Sequence, residues 1–514
     1  MAREFQCNRR EALKTGLAGS LALTATTNPS HAEVKTTRPN ILLLMADQFR
    51  GDCIGADRHP CIKTPNLDRI ANEGVLFKRA YSSTPTCTPA RAALLTGLSP
   101  WNHGMLGYYK VAPQYPYEMP RALREAGYYT LGIGKMHFHH QRVTHGYHKT
   151  IVDESGRVES PAFRSDYRCW FYSQAPTADP DATGIGWNSY KAKPYVLPEH
   201  LHPTRWTGDT AVHFIDQYDR EEPFFLKVSF ARPHSPYDAP KHFWDLYDRD
   251  TIPAPHVGDW AERHAMRGQK VGPNTWRGDL GVDQAKKSRH GYYANITFID
   301  EQIGRMLDSL EQKNLLENTL ILFIADHGDM TGDHHMWRKS YAYEGSARIP
   351  MLMRWPKGML AAKRGQVLAN PVEIRDVFPT FLHAANAKPK HKLDGQSLLH
   401  LAAGDTKNWR DYLDLEHDVC YSTDNHWNAL TDGRMKYIYH AKSGEEQLFD
   451  LDTDPGELHD LAKKPNHQST LKTWRERMVD HLAERGETFV KNGKLTKRPK
   501  RQLLSPNYPR GEAE

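Results

Sequence analysis

The stretch RPNILLLMADQ at residues 38–48 contains six consecutive apolar residues, followed by an aspartate and a glutamine. An apolar run of this length between polar residues is typical of a β-strand buried on both faces, as in a parallel sheet under helices. A second such run is TLILFIADHGD at residues 319–329, in which an aspartate and a histidine follow the apolar residues. The sequence therefore predicts two buried strands that both end in polar side chains.

These two strand ends supply the first candidates for a functional site, because ligands of open α/β sheets gather beyond the carboxyl ends of the strands. A single aspartate there is more often a cap or turn residue, but two polar pairs favour a site. Two carboxylates and an amide suit a hard cation such as Ca²⁺ or Mg²⁺, and the imidazole also admits Mn²⁺ or another metal. The candidate metal ligands are Asp47, Gln48, Asp326 and His327.

Helix and strand patterns alternate along the first part of the chain. Residues 296–310 carry apolar side chains at the spacing of an amphipathic helix and lead into the second buried strand. FFLKVSF at residues 224–230 is a further short strand. The predicted fold class is α/β, with a large central, mostly parallel or mixed β-sheet between helices.

The pattern changes to shorter elements after about residue 385. RMKYIYH at residues 434–440 and QLFDLDTDPGE at residues 447–457 predict a short antiparallel sheet, and a helix is expected at about residues 468–485. The basic residues that follow most simply form a solvated face. The predicted division is a large N-terminal domain at residues 38–385, a smaller C-terminal α+β domain at 386–490 and a basic tail at 491–514.

Length and composition agree with this division. A chain of 514 residues favours two domains over one, and 39% hydrophobic with 25% charged residues are globular values. The net charge of +6 is small for this length and gives no reason to expect nucleic acid as a partner.

Residues 1–32 have the pattern of an export signal. They contain the pair Arg9 and Arg10, a mild apolar stretch at residues 17–25 and a small-x-small sequence that ends at Ala32. The apolar stretch is too short to cross a bilayer, which takes roughly 20 apolar residues. The pattern resembles a twin-arginine signal, so we expect a bacterial protein exported in folded form to the periplasm or beyond, without a membrane span.

Five cysteines would remain after removal of residues 1–32. A chain of this size does not depend on disulfides, and an odd count leaves at least one free thiol. A bridge between Cys53 and Cys61 stays open at this point. Cys87 has unusual surroundings, because in CTPARAALLTG it precedes a proline and an arginine at the start of a predicted helix.

Residues 167–206 are rich in prolines and aromatic side chains and are predicted to form a loop. This segment is either an irregular packed excursion or an aromatic-lined approach, since aromatic faces suit sugars and other partly apolar ligands. Its aromatic residues include Trp170, Tyr172, Trp187, Tyr190, Tyr195 and Trp206.

Familiar hydrolase and phosphate-binding signatures do not occur. GIGK at residues 132–135 lacks the glycine spacing and the following Ser or Thr of a phosphate loop. The sequence also lacks a Gly-x-Ser-x-Gly elbow and a His-Glu-x-x-His zinc helix. The nucleophile must therefore come from another arrangement.

Six short motifs occur in one order along the chain. They are PNILLLMADQ, CTPAR, GKMH, RPHSPY, ADHGD and the lysine at position 339. A single five-residue pattern recurs by chance, but six in register are specific. In order and approximate spacing they resemble the type I sulfatases of the alkaline phosphatase superfamily, over about residues 38–462.

This resemblance implies that Cys87 is converted after translation to formylglycine. A formylglycine-generating enzyme would be a transient partner that reads Pro89 and Arg91. The hydrated aldehyde would be the nucleophile, whereas an ordinary serine would be left as a stable sulfate ester. The resemblance also implies that the modified Cys87 joins the four strand-end residues as a metal ligand, and we favour Ca²⁺ over Mg²⁺ and Mn²⁺.

The resemblance further implies catalytic roles. Arg91 would steady the diol, and Lys135 and His137 would bind it, with His137 as the base. His234 and Lys339 would face the sulfate group and protonate the leaving alcohol. The candidate substrate contacts are His334 or His335 and, from the aromatic segment, Trp187.

Two positions depart from the commonest sulfatase pattern. Many sulfatases have aspartate in place of Gln48 and asparagine in place of His327, and the present pair resembles in part the phosphonate and phosphate monoester hydrolases of the superfamily. Lys135 and His137 match the sulfatases. Ala90 stands where serine is common and leaves the route of maturation open.

The leading hypothesis is an exported sulfatase that releases inorganic sulfate from an ester on a carbohydrate, either a polysaccharide or its oligosaccharides. The alternatives are a phosphonate monoester or phosphodiester hydrolase on the same scaffold, and a non-catalytic glycan-binding protein. The sugar, the sulfated position, exo or endo action and the oligomeric state stay open.

Overall fold

The apolar run at residues 41–46 lies in an inner strand of an eight-stranded sheet in the computed structural model, which describes residues 38–154 and 156–510. Every residue of this strand is buried, so both faces of the sheet are covered. The strands are β1 (Asn40–Asp47), β2 (Val75–Phe77), β3 (Ala80–Tyr81), β4 (Tyr129–Gly134), β5 (Lys149–Val152), β6 (Phe224–Pro233), β7 (Thr319–Ala325), β8 (Met351–Arg354), β9 (Gln366–Leu368), β10 (Val372–Glu373), β11 (Leu413–His417), β12 (Trp427–Thr431), β13 (Met435–His440), β14 (Glu445–Asp450), β15 (Val490–Lys491) and β16 (Lys494–Leu495).

The large sheet has the order β5, β4, β6, β1, β7, β8, β2, β9. Its first five strands are parallel to one another, whereas β8 is antiparallel to both β7 and β2. The predicted mostly parallel or mixed sheet is confirmed. The unbroken apolar runs of β1 and β7 are accounted for, because inner strands of a covered parallel sheet are buried on both faces.

Helices pack in two groups around this sheet. One group contains α1, α6 and α8, and the other contains α2, α4 and α10. The amphipathic pattern at residues 296–310 lies within the longest helix, whose apolar face is buried. The helices are α1 (Pro65–Asn72), α2 (Cys87–Thr96), α3 (Pro100–His103), α4 (Met119–Glu125), α5 (Asp166–Gln174), α6 (Pro203–Gln217), α7 (Lys241–Trp244), α8 (Val282–Gln312), α9 (Glu344–Ala347), α10 (Val377–Ala384), α11 (Leu398–Ala402) and α12 (Gln468–Ala483).

The C-terminal part contains a four-stranded antiparallel sheet in the order β11, β12, β13, β14. Met435 pairs with Asp450, so the two segments predicted to form an antiparallel unit are neighbours in this sheet. α12 packs on β12 and β13, where the sequence predicts a terminal helix. The small antiparallel sheet with its helix is therefore confirmed, and the boundary near residue 385 stays a prediction.

The basic residues of the tail form the predicted solvated face, with the exception of Arg498. Lys491, Lys494 and Lys497 are exposed, but Arg498 is buried. Further on, the Leu106 N–H donates to the Leu503 carbonyl oxygen at 2.9 Å, and residues 504–508 pack near Met105. Leu503, Leu504 and Tyr508 are partly buried there, so the end of the tail packs against the residues around Met105.

Two further expectations concern the N-terminus and the cysteines. The predicted export signal at residues 1–32 lies outside the described residues. In the described part of the chain, no helix has the length and apolar character needed to cross a membrane. Cys53 and Cys61 are free thiols, so the bridge left open between them is not formed.

Candidate active site

Four adjacent parallel strands, β4, β6, β1 and β7, end at the same edge of the large sheet. Ala46 of β1 pairs with Ala325 of β7, which brings the next residues, Asp47 and Asp326, side by side. On the other side of β1, the His234 N–H donates to the Asp47 carbonyl oxygen at 3.0 Å. Strand register alone therefore gathers residues that are far apart in the sequence.

Lys135 directly follows β4 and lies at the same edge of the sheet. Gly134 has a φ of +89°, and a Cβ atom there would lie 2.1 Å from the Ser229 carbonyl oxygen of β6. Only glycine fits so close to a neighbouring strand in this conformation. The turn directs the Lys135 Nζ atom to the Asp47 Oδ2 atom at 2.7 Å.

Cys87 is the first residue of α2, and every residue of this helix is buried. The partial positive charge at a helix N-terminus favours an anion at this position. One turn later, the Arg91 guanidinium returns to the sheet edge, where Nη2 lies 3.2 Å from Asp47 Oδ2 and Nε lies 3.0 Å from Asp326 Oδ2. The helix thus places Cys87 directly over the two aspartates.

The two aspartates differ in proton affinity. Burial would raise the pKa of Asp47, but the charges of Lys135, Lys339 and Arg91 outweigh it and hold the pKa well below its ordinary value. Burial and the neighbouring Asp47 raise the pKa of Asp326 instead. Asp47 is therefore the carboxylate that stays ionised more readily.

The Cys87 thiol has three polar neighbours. Its Sγ atom lies 3.2 Å from His327 Nε2, 3.4 Å from Lys339 Nζ and 3.7 Å from Asp47 Oδ1. Burial and Asp47 would raise the pKa of Cys87, but Lys339, Lys135 and His327 lower it to about 5. The position accommodates a negatively charged or strongly polar group.

The residues present fit a divalent cation. Ligand atoms of Asp47, Cys87, Asp326 and His327 all lie within 4.8 Å of one another and are buried. His327 Nδ1 lies 2.9 Å from the Gly328 carbonyl oxygen, which leaves Nε2 free to ligate. Two carboxylates with one imidazole suit a hard or borderline cation.

Gln48, the fourth strand-end residue, also faces this position. Its Oε1 atom accepts a hydrogen bond from Lys339 Nζ at 2.8 Å, while its Nε2 atom donates to the Asp329 carboxylate. Because Lys339 also contacts the Cys87 sulfur, it links the Gln48 amide oxygen to Cys87.

His137 and His234 are buried beside the site, and each keeps one ring nitrogen without a hydrogen-bond partner among the described residues. Burial lowers the pKa of both rings well below the ordinary value, and Lys135 lowers it further for each. Two neutral imidazoles with free nitrogens are suited to accept or relay a proton.

The three predicted substrate contacts have different surroundings in the structure. The Trp187 ring lies 5.6 Å from Lys135 Nζ and 5.4 Å from the His234 ring, so it borders the site. His334 Nδ1 accepts from the Gly258 N–H at 3.1 Å, and His335 Nδ1 lies 3.7 Å from Asp279 Oδ1. The two histidines face the segment at residues 256–279 because the chain turns sharply before Lys339, and the structure does not bring them to Cys87.

Sequence reasoning missed two acidic residues that support the site. Asp329 accepts from the Tyr237 hydroxyl at 2.7 Å and holds the Gln48 amide. Glu154 accepts from the Met136 N–H at 2.8 Å and from the His137 N–H. Glu154 follows the short strand β5, which has only two apolar residues, so the sequence gives no apolar run that could have revealed it.

Family models extend over most of the chain. Residues 39–387 match the model described as Sulfatase, and residues 332–484 match the model described as N-sulphoglucosamine sulphohydrolase, C-terminal. The chain belongs to the sulfatase family. The resemblance found in the sequence motifs is confirmed.

Individual relatives span nearly the whole chain. An arylsulfatase of Clostridium perfringens is 36% identical over 472 residues, which cover 90% of this chain and 98% of that relative. A choline-sulfatase of Rhizobium meliloti is 31% identical over 468 residues, with 87% of each chain covered. The crystal structure of the phosphonate monoester hydrolase of Agrobacterium radiobacter has a TM-score of 0.75 at 25% identity, covering 90% of this chain and all of that one.

We expect Cys87 in unmatured, metal-free protein to titrate as a thiol with a pKa of about 5. Lys339→Met should raise this midpoint, because the lysine charge lowers the pKa. Thiolate absorbance measured against pH, as the difference from a Cys87→Ser variant, gives the midpoint, and Cys169→Ser is the control that leaves it unchanged. This arrangement would be contradicted if the Cys87 midpoint had the ordinary value of a thiol both in the unchanged protein and in the Lys339→Met variant.

Proposed function

We propose that the protein hydrolyses a sulfate ester on a carbohydrate and releases inorganic sulfate. The nucleophile would be formylglycine formed from Cys87, and a divalent cation would be the cofactor. The main support is the position of Cys87 at a buried helix N-terminus. Its Sγ atom lies 3.2 to 3.7 Å from His327, Lys339 and Asp47. Hydrated formylglycine supplies a diol, of which one hydroxyl attacks sulfur and the other expels sulfate.

Arg91 and Lys135 hold the reacting groups in place. Arg91 fixes both aspartates, and Lys135 neutralises Asp47 at 2.7 Å. His137 lies beside them, and its lowered pKa keeps the ring neutral, so its free ring nitrogen can accept the proton whose removal lets sulfate depart. The base is thus supplied by a residue that is neutral before the step.

Lys339 and His234 flank the other side of Cys87. Burial lowers the pKa of Lys339, although Cys87 and Asp47 raise it. A lysine with a lowered pKa can bind a sulfate oxygen and give a proton to the leaving alcohol. His234, held by the Ser235 carbonyl oxygen at 2.9 Å from its Nδ1 atom, keeps Nε2 free for the same group.

Asp47, Gln48, Asp326 and His327 would hold the cation, and Ca²⁺ suits the oxygen donors best, with Mg²⁺ and Mn²⁺ as alternatives. A bound cation would lower the pKa of the attacking hydroxyl and neutralise sulfate oxygens.

Three features support a carbohydrate substrate and export. Trp187 offers an aromatic face beside Lys135, as sugar sites often do. The family model for residues 332–484 carries the name of an enzyme acting on N-sulphoglucosamine. The twin-arginine-like pattern at residues 1–32 supports export to the periplasm or beyond in a bacterium.

Protein made together with a formylglycine-generating enzyme should carry an aldehyde at residue 87 and release sulfate from aryl and sugar sulfate esters. Cys87→Ala should abolish turnover, whereas Cys169→Ser, at an exposed position, should keep it. Peptide mass spectrometry and ion chromatography of sulfate provide the two readouts. Full activity with an intact thiol at Cys87, or turnover unaltered by Cys87→Ala, would rule out the mechanism. Glycan binding without any sulfate release from the matured protein would favour a non-catalytic glycan-binding role.

Removal of divalent cations with a chelator should abolish sulfate release, and Ca²⁺ should restore it better than Mg²⁺ or Mn²⁺. Asp326→Asn should bind less metal, because one charged ligand is lost. Metal content measured by mass spectrometry is compared with that of Asp308→Asn, a change at an exposed position. Equal metal content in both variants would place the cation elsewhere.

The phosphonate monoester hydrolase is the second candidate function. Gln48 and His327 at the cation site favour it, and so does the structural similarity to the Agrobacterium radiobacter enzyme. Lys135 and His137 favour the sulfatase, since the GKMH motif that contains them matches the sulfatase pattern. We expect a higher kcat/KM for 4-nitrophenyl sulfate than for 4-nitrophenyl phenylphosphonate. The reverse order, measured by nitrophenol release, would assign the protein to the phosphonate hydrolases.

A further inference from the structure

Two half-buried arginines lie near the catalytic residues without an acidic partner. Within the described residues, the Arg157 guanidinium bonds the Tyr108 hydroxyl, and Arg338 Nη2 donates to the Asn274 carbonyl oxygen at 2.7 Å. No described carboxylate forms an ion pair with either arginine. A partly desolvated guanidinium without a counter-ion is costly, so the arrangement favours an anionic ligand.

Arg157 lies on the His137 side of Cys87. Its guanidinium carbon is 5.0 Å from the centre of the Tyr108 ring, and that ring is 6.2 Å from the His137 ring. Burial lowers the pKa of His137, and the charges of Lys135 and Arg157 lower it further. The Arg157 charge therefore acts on His137, the proposed base.

Arg338 approaches from the Lys339 side. Burial raises the pKa of Tyr421, and the charges of Arg338 and Arg157 both lower it, so the two arginines lie near the same ring. Arg338 directly precedes Lys339, whose Nζ atom is 3.4 Å from the Cys87 sulfur. The Arg338 guanidinium carbon is 4.4 Å from the centre of the Tyr421 ring, and its Nε atom is buried without a hydrogen-bond partner among the described residues. Stacking holds the guanidinium in place while leaving a donor free.

The Tyr421 ring continues this arrangement away from Cys87. It stacks on Trp276 at 6.2 Å, and the Arg277 guanidinium carbon lies 4.4 Å from the Trp276 ring. Trp276 and Arg277 line a cavity of about 430 Å³, together with Asn425 and Trp427. Trp427 Nε1 donates to the Ser340 carbonyl oxygen at 3.0 Å, so the cavity wall is joined to the residue after Lys339.

We propose that Arg157 and Arg338 form a second anion subsite, so that the preferred substrate carries a sulfate or carboxylate in addition to the ester that is cleaved. The planar guanidinium fork matches either anion with two parallel hydrogen bonds. The neighbouring cavity gives room for the rest of a sugar chain. This inference rests on the proposed sulfatase function and narrows its substrate to polyanionic carbohydrates.

The first test compares three aryl sulfates: 3-carbamoylphenyl sulfate, 3-carboxyphenyl sulfate and benzene-1,3-disulfate. The matured protein should show a higher kcat/KM for the two dianions than for the amide, and the better dianion identifies the second group. Arg157→Gln and Arg338→Gln should each lower the ratio of dianion to amide by about 10- to 100-fold, as expected for one charge-assisted hydrogen bond. The Arg157→Lys and Arg338→Lys variants should keep part of the preference.

A binding measurement separates the subsite from catalysis. Calorimetry should show tighter binding of benzene-1,3-disulfonate than of benzenesulfonate, and the two glutamine variants should remove the difference. Arg364→Gln is the matched control, because Arg364 is half-buried, stacks on Trp355 at 5.4 Å and forms no ion pair within the described residues. It should leave both ratios unchanged.

The outcomes are distinguishable. Preferential binding of the disulfonate without hydrolysis of any sulfate ester would remove the sulfatase function and keep the subsite. Hydrolysis with no preference for dianions, or with a preference that both glutamine variants retain, would overturn the subsite and keep the sulfatase. An equal loss of preference in Arg364→Gln would also overturn it, because the effect would then be structural.

Discussion

The buried guanidinium of Arg91 joins all four strand ends of the active site. It bonds Asp47, the last residue of β1, and Asp326 after β7, and its Nη1 atom donates to the Lys135 carbonyl oxygen after β4 and to the Ser229 hydroxyl within β6 at 2.5 and 3.2 Å. Only 1% of its side chain is exposed. Because Arg91 and Cys87 share α2, the same contacts that hold the strand ends together also fix the position of Cys87.

These buried charges are stable in the protein interior only because each of them has a partner. Removing one partner of a buried ion pair costs about 3–5 kcal/mol, since an uncompensated charge remains in the protein interior. Asp47 faces Arg91 and Lys135, and Gln48 is held between Asp329 and Lys339. The polar edge of the sheet is therefore a connected network, and the apolar strands behind it supply the burial that makes its charges strong.

Much of this could be predicted from the sequence. The apolar runs before Asp47 and Asp326 predicted buried strands, and parallel strands in register must bring their ends together. The roles of Cys87, Lys339 and His234 came only from motif resemblance, because no periodicity links residues so far apart. Spacing could not place the loops, and Thr331, His334, His335 and Arg338 all have positive φ values that side chains rarely adopt. In this turn His334 and His335 contact Gly258 and Asp279, although they lie close to Lys339 in sequence.

The charge balance gives the modification of Cys87 a further consequence. In the unmodified chain, the thiol with its pKa of about 5 is an anion that faces the Lys339 ammonium. Conversion to formylglycine would replace that anion with a neutral group, while Arg91, Lys135 and Lys339 would remain. The site would then lose the anion that faces Lys339, and an ester sulfate carries one negative charge. Under the proposed mechanism, the modification would supply the nucleophile and would also remove an anion from the place that a bound sulfate would take. We therefore expect unmatured protein to bind substrate weakly as well as to lack turnover.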